Sequence, residues 1–197
     1  MIPTQSVEPD DRELVRTIRQ GDAEAFEQLV RRKTGKVYAL CYRIIGNSED
    51  AKDIAQLVFI KLWENLEKYD PQYAFDTWLY RMVTNVAIDF MRSRQSRENA
   101  VNSNLRLVKT SEEAEQGVVV QRKEVEAVFR EVSNVLSPKQ KAIFVMREME
   151  DIPSCDIAKI LGCRESTVRN HLFNARKLMQ EQLRKRYPEY ARLWRDR

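Results

Sequence analysis

The chain is poor both in residues that break helices and in residues that do chemistry. Its 197 residues include 5 Gly and 6 Pro. That is few for a turn-dense β architecture, and with little strand-like alternation the long periodic segments point to an all-α fold. Three Cys and one His cannot build a disulfide framework, and the scatter of Cys41, Cys155, Cys163 and His171 matches no common zinc spacing. No metal, cofactor or catalytic residue is therefore expected, and a helical enzyme using Asp and Glu pairs fails for want of a His, metal or nucleophile cluster. No apolar run approaches the ~20 residues of a membrane span, and residues 1–10 lack a secretory pattern. These absences predict a cytoplasmic protein without membrane insertion. The net charge of +4 admits an acidic partner and says no more. Cys41 sits on an apolar helix stripe and reads as core, while a redox role for Cys155 and Cys163 stays open.

What the chain does contain is clearest from Ser137 to Lys177. Ser137-Pro138-Lys139-Gln140 can open a support helix, because Ser caps, Pro suits the first helical position and Gln three residues on closes a capping box. Ile143, Phe144, Val145 and Met146 are its apolar side. A second helix carries Ile157, Ala158, Ile160 and Leu161 and stops at Gly162, where the chain needs a left-handed residue. A third sets Val168, Leu172, Ala175 and Met179 inward. Its opposite side presents Arg164, Ser166, Arg169, Asn170, Phe173 and Asn174, a mix of cation, amide and apolar groups suited to base edges and thymine methyls in a major groove. Arg176 and Lys177 follow as phosphate contacts. From Leu136 onward there are 14 Lys/Arg against 8 Asp/Glu, so positive charge gathers where a helix-turn-helix reads DNA. A helical hairpin with a solvated basic face is the plainer alternative.

The first half is also helical. Asp10 and Asp11 open a short helix with Leu14, Val15 and Ile18 inward. Asp22 caps a long one running to Gly46. A third, from about Glu49 to Leu66, has an inward stripe of Ala51, Ile54, Ala55, Val58 and Leu62. It also has a second stripe, Asp53, Leu57, Ile60 and Glu64, with Gln56 beside it, which suits a second partner. Asn47 to Asp70 holds 6 acids and 3 bases, a locally acidic segment in a basic chain. A fourth helix, from Phe75 to Arg94, packs Leu79, Val83, Val86, Ala87 and Phe90 inward. Trp78, Arg81, Asn85 and Arg92 point outward, Tyr80 lies at the flank, and Tyr69, Tyr73 and Phe75 lie just upstream. Rings beside Arg and Asn suit unpaired bases; a buried Trp beside a surface Arg is the bland reading. The organisation expected is two small helical domains, residues 10–95 and 118–185, a polar linker at 96–117, and a basic, aromatic tail at 186–197 that is either a docked helix or disordered.

Taken together, these residues resemble the extracytoplasmic-function, or group 4, bacterial sigma factors, from Asp11 to about Leu183. The run from Glu49 to Trp63, EDAKDIAQLVFIKLW, is similar to that family's region 2.2. The run from Phe75 to Asp89, FDTWLYRMVTNVAID, is similar to regions 2.3 and 2.4, and Leu136 to Lys177 is similar to region 4. The order of these motifs is more specific than any one of them. The resemblance implies that Asp53, Gln56, Leu57, Ile60 and Glu64 bind core RNA polymerase. It implies that Trp78, Tyr80, Arg81, Asn85 and Arg92 meet the melted −10 element, and that the third helix of region 4 reads double-stranded −35 DNA. An anti-sigma factor is an implied further partner, and the linker would pass through polymerase channels. The long amino-terminal extension and middle domain of housekeeping sigma factors are not seen, so the smaller group is the better match.

Four positions depart from that family. Leu57 stands where Glu or Asp usually follows the Gln, which alters polymerase contact. Asn174 stands where many relatives carry Arg, which removes a phosphate contact. Pro153 and Arg164 replace residues that often cap the two helices, so frayed starts are expected there. The competing reading is a helix-turn-helix regulator whose first half dimerises or binds an effector. Such a protein binds a two-fold operator and needs no polymerase.

Overall fold

The computed structural model describes residues 9–102 and 120–193, and helices and turns are the only regular structure among them. The first unit has four helices: α1 (Asp11–Ile18), α2 (Ala23–Ile45), α3 (Ser48–Asn65) and α4 (Phe75–Asn102). Their starts follow from side-chain caps. Asp10 accepts from the Glu13 N–H, Asp22 from those of Glu24 and Ala25, and Asn47 from that of Asp50. Gly46 ends α2 at φ 83°, a conformation that a Cβ would strain. The apolar stripes predicted for these helices meet around α2, which packs on α1, α3 and α4. Leu29, Leu40, Cys41, Ile44, Leu62 and Leu79 are fully buried there. Burial pushes the Cys41 thiol up to about 12, so it is inert core.

One charge is buried in this unit by design of the neighbours. Lys33 on α2 lies between Asp11 of α1, at 2.5 Å, and Asp76 in the first turn of α4. Burial opposes its charge, but the two carboxylates outweigh it and hold the ammonium above its ordinary value. This clamp fixes the start of α4 against α1 and α2. The far end of α4 differs from expectation: instead of stopping at Arg94 it continues to Asn102. Arg94 pairs with Glu98 one turn on, at 2.9 Å, and with Asp50 of α3, at 3.2 Å, which supports a polar helix where no apolar period announces one. The rest of the expected linker, residues 103–117, lies outside the described residues.

The second unit holds α5 (Val120–Val132), α6 (Pro138–Phe144, extended by a π turn at Val145–Met149), α7 (Ser154–Leu161), α8 (Glu165–Arg186) and α9 (Pro188–Leu193). The capping box of Ser137 and Gln140 forms as predicted, and Gly162 takes the left-handed cap at φ 60°. Neither Pro153 nor Arg164 supplies a side-chain cap, as their chemistry implies. The tail forms α9 and is docked through Tyr187 and Tyr190, while residues 194–197 lie outside the described residues. Tyr187 stacks edge-on against Tyr190, and its hydroxyl donates to Glu131 of α5. A small core of Val132, Leu136, Phe144, Ala175, Met179 and Leu183 holds α5, α6 and α8 together.

The two units share a seam. Ile143, Val145, Met146, Ile157 and Ile160 belong to one continuous core with Ile44, Leu79, Val83 and Ala87 of the first unit. Four successive apolar residues on α6 cannot all face one partner. Phe144 turns to the small core, and its neighbours turn to α2 and α4. Polar ties flank the seam: Arg43 pairs with Glu150, and Arg130 donates to the Tyr42 hydroxyl at 3.1 Å. Lys141 is only 3% exposed there. Its Nζ would lie 3.8 Å from a Cβ on Gly46, at the carbonyl end of α2. Burial, with Arg130 and Arg94 nearby, lowers its pKa to about 8.

Candidate nucleic-acid and polymerase interfaces

The face of α3 turned from the core is an acid-rimmed apolar patch. Asp53, Gln56, Leu57, Ile60 and Glu64 are all exposed, with Leu57 at 38% and Ile60 at 49%. The helix repeat separates them from the buried stripe of Ala51, Ile54, Ala55, Val58 and Leu62. Beside them Trp63 is 52% exposed, its ring held edge-on by Phe26 of α2 at 4.7 Å. Sequence reasoning missed Trp63, although its place three residues after Ile60 puts it on the same side. Large apolar groups side by side on an exposed helix are the sign of a docking surface.

The outward face of α4 differs from its sequence prediction in three ways. Trp78 is half-buried, its ring 5.3 Å from that of Tyr69 and 6.0 Å from that of Phe75. Tyr69 and Phe75 are themselves core residues, so only Tyr73 of the upstream aromatics is a surface ring. The Tyr69 hydroxyl donates to the Tyr73 carbonyl at 2.8 Å, which closes the loop between α3 and α4. Tyr80 does not share the face of Trp78, because two residues along a helix turn a side chain about 200°. It is half-buried, and its phenol is pushed up to about 12 by burial, then by Asp76 and Glu150. Asn85, Arg81 and Arg92 are exposed, with Arg92 loosely paired to Asp89 at 3.7 Å. Arg81 nonetheless lies against the second unit: its Nη2 would be 3.3 Å from a Cβ at Gly162.

On α8 the division of faces matches the prediction. Val168, Leu172, Ala175 and Met179 are buried; Arg164, Ser166, Arg169, Asn170, Phe173, Asn174, Arg176 and Lys177 are exposed. Phe173, at 67%, is the most exposed of the large apolar side chains among the described residues. Arg169 pairs with Glu165 at 2.7 Å, and Asn174 donates weakly to Asn170 at 3.4 Å. Arg176 stands apart from this group. It turns toward the π turn after α6 and pairs with Glu148 at 2.5 Å. His171 also faces α6, where burial and then Lys139 lower its pKa, so it is not a ready cation for DNA. Cys155 is exposed and Cys163 half-buried, and among the described residues no cluster of His, Cys, Asp and Glu can hold a metal.

Two family matches lie on these surfaces: Sigma-70 region 2 over residues 29–97 and Sigma-70 region 4 over residues 127–179. The ECF RNA polymerase sigma factor SigW of Bacillus subtilis is 31% identical over 180 residues, covering 86% of this chain and 95% of that one. The chain belongs to the ECF RNA polymerase sigma factors. The ECF RNA polymerase sigma-E factor of Haemophilus influenzae is likewise 31% identical over 185 residues, covering 88% of this chain and 95% of that one. Among solved structures, CnrH in complex with the cytosolic domain of CnrY aligns with a TM-score of 0.65 at 24% identity, over 89% of this chain and 98% of that one. RpoE in complex with the anti-sigma factor NepR from Bartonella quintana aligns with a TM-score of 0.63 at 19% identity, over 82% and 98%. At those identities the two structures speak for the shared fold. Members of the sigma family direct transcription initiation, and the reading as an independent helix-turn-helix regulator is not favoured. No helix among the described residues is long and apolar enough to cross a membrane.

Proposed function

We propose that this sigma factor binds core RNA polymerase through the outer face of α3, reads the −35 element with α8 and holds the melted −10 element along the Trp78, Arg81, Asn85 and Arg92 side of α4. It works in the cytoplasm, without chemistry of its own. An anti-sigma protein restrains it, as the partner named for the Bartonella quintana structure suggests. The observation that carries this reading is the pairing of the acid-rimmed Leu57, Ile60 and Trp63 patch with a basic helix-turn-helix in a chain carrying both sigma regions in order. An apolar patch of that kind marks a protein partner, and the two sigma regions in order favour polymerase over a second copy of the chain. The test is transcription by purified core polymerase with and without the chain: new start sites from promoters that core alone ignores support the reading, and none would end it.

The seam adds a requirement. The two promoter elements lie about 25 base pairs apart, or about 85 Å of duplex at about 3.4 Å per pair. Here Arg81 touches the turn at Gly162. The packed arrangement therefore cannot engage both elements, and promoter binding requires α6 and α7 to leave α4.

Within α8 the two exposed arginines are expected to differ. Arg169 lies beside Asn170 and Phe173 and can make two hydrogen bonds to a guanine edge, worth about 1–3 kcal/mol of discrimination. Arg176 lies nearer the support helix, where a phosphate would replace Glu148. Arg169→Ala should flatten preference at one or two upstream base pairs. Arg176→Ala should weaken all sequences alike and lower the salt dependence. Selection from randomised upstream DNA by each holoenzyme separates them; an unchanged Arg169→Ala profile would remove that residue from base reading.

A further inference from the structure

Lys33 and Lys141 are the two buried lysines among the described residues; Lys141 has arginines nearby, and Lys33 has carboxylates. The Lys33 ammonium is shared between Asp11 of α1, at 2.5 Å, and Asp76 of α4. Arg32 pairs with Asp11 at 3.2 Å, and Lys36 lies 3.7 Å from Asp76. This row of charges ties α1, α2 and α4 together at one point. A buried ion pair of this kind adds little net stability, because desolvation cancels most of the attraction, and neutral side chains of similar volume hold a fold about as well. What it does supply is geometry, since the ammonium and both carboxylates must meet within hydrogen-bond reach.

The geometry set at this point is passed to Trp78. Asp76 lies in the first turn of α4, where the positive end of the helix also favours its charge. Phe75, next to it, holds its ring against the Lys33 ammonium, 5.5 Å from the ring centroid. That ring lies 6.0 Å from the ring of Trp78, and the Tyr69 ring is 5.3 Å from each of them. Trp78 closes the same first turn, its N–H donating to the Ala74 carbonyl at 3.3 Å. A displacement of Asp76 therefore carries Phe75 and Trp78 with it. Lys33 is itself only 4% exposed, so it acts through these rings and not by touching DNA.

We infer that Lys33 is a positioning residue for promoter opening: with Asp11 and Asp76 it sets the first turn of α4, and through Phe75 it fixes the ring of Trp78. A binding surface works only when its side chains are held to within about 0.5 Å of the productive geometry. The inference rests on the sigma-factor reading of Trp78 above. It brings in α1, because Asp11 lies outside the region 2 match at residues 29–97.

The test neutralises the cluster without emptying it. Lys33→Met, Asp11→Asn and Asp76→Asn together keep the side-chain volumes and leave no buried charge unpaired. Holoenzyme carrying this triple variant is given a promoter recovered in the transcription experiment, with a fluorescent base in the −10 element. At saturating holoenzyme the opening rate should fall about tenfold. Affinity for core polymerase, affinity for the closed promoter and the melting temperature of the free chain should stay near wild type. In the free chain with Trp63→Phe and Trp194→Phe, Trp78 is what remains of the 3 Trp, and neutralising the cluster should make its fluorescence easier to quench with acrylamide. An opening rate equal to wild type would overturn the inference. So would a common loss, with core affinity, closed-promoter affinity, opening and melting temperature all falling together, because a merely structural cluster gives that result. If the triple variant does not fold, Asp11→Asn alone, which leaves Asp76 on the ammonium, carries the same measurements: opening about threefold slower supports the inference, and opening as fast as wild type overturns it. If wild-type holoenzyme directs no promoter-specific transcription, it is the sigma-factor reading that fails.

Discussion

Ile60→Asp is expected to weaken binding to core RNA polymerase by at least about thirtyfold, the loss of about 2 kcal/mol that marks a residue at the centre of a protein interface. Ile60 is flanked by Leu57 and Trp63 and rimmed by Asp53 and Glu64, so an added carboxylate would be buried without a partner in the complex. The free protein should tolerate it: the side chain is half-exposed and outside the core stripe of α3. Helix content and melting temperature should stay near wild type. Asp53→Arg, at the rim, should act mainly on the association rate and on its salt dependence. Titration of labelled protein with core polymerase measures both effects. An Ile60→Asp protein that folds and binds core as wild type does would remove α3 from the polymerase interface.

Lys141→Met is expected to act in the opposite sense, making the isolated chain more stable and slower to engage polymerase. Lys141 is buried at the seam, with Arg130 and Arg94 as the charges that lower its pKa and the carbonyl end of α2 at Gly46 as partial compensation. Holding its pKa near 8 against an ordinary 10.5 means that the charged form burdens the packed state by about 3 kcal/mol at neutral pH. Between about pH 8 and about 10.5 the unfolded chain holds a proton that the folded one has lost, so wild-type stability should rise with pH across that window and gain nothing from it below. Met fills similar space without the charge. It should raise the melting temperature at pH 7 by about 5–10 °C and abolish this contribution to the pH dependence. A tighter seam also lowers the population competent to span a promoter, so association with core and the onset of transcription should slow. A melting temperature unchanged or lowered at pH 7, with the same rise toward pH 10 as wild type, would show that Lys141 does not burden the seam.

Helix starts and stops were legible because local chemistry dictates them. Asp10, Asp22, Asn47 and Ser137 cap the helices they precede, and Gly46 and Gly162 end theirs at positive φ. The inward stripes of α3 and α8 and their exposed opposite faces were legible because the helix repeat alone sorts residues into two sides. Trp63 lay within reach of the same argument, three residues after Ile60 on the same side of the helix.

Tertiary contacts decided the rest. Periodicity on α4 placed Trp78 outward, but the rings of Tyr69, from the loop before the helix, and of Phe75, three residues earlier on it, half-bury it. Tyr80, placed at the flank by the same spacing, is brought near Glu150 by the packing of the second unit. The end of α4 depended on Arg94 finding Asp50 forty-four residues earlier. Above all, a run of four apolar residues on α6 says that the helix is surrounded, and cannot say by what. That the second neighbour is α2 and α4 of the other unit, with Lys141 trapped between them, follows from which surfaces meet, and pairwise spacing along one chain carries no information about that.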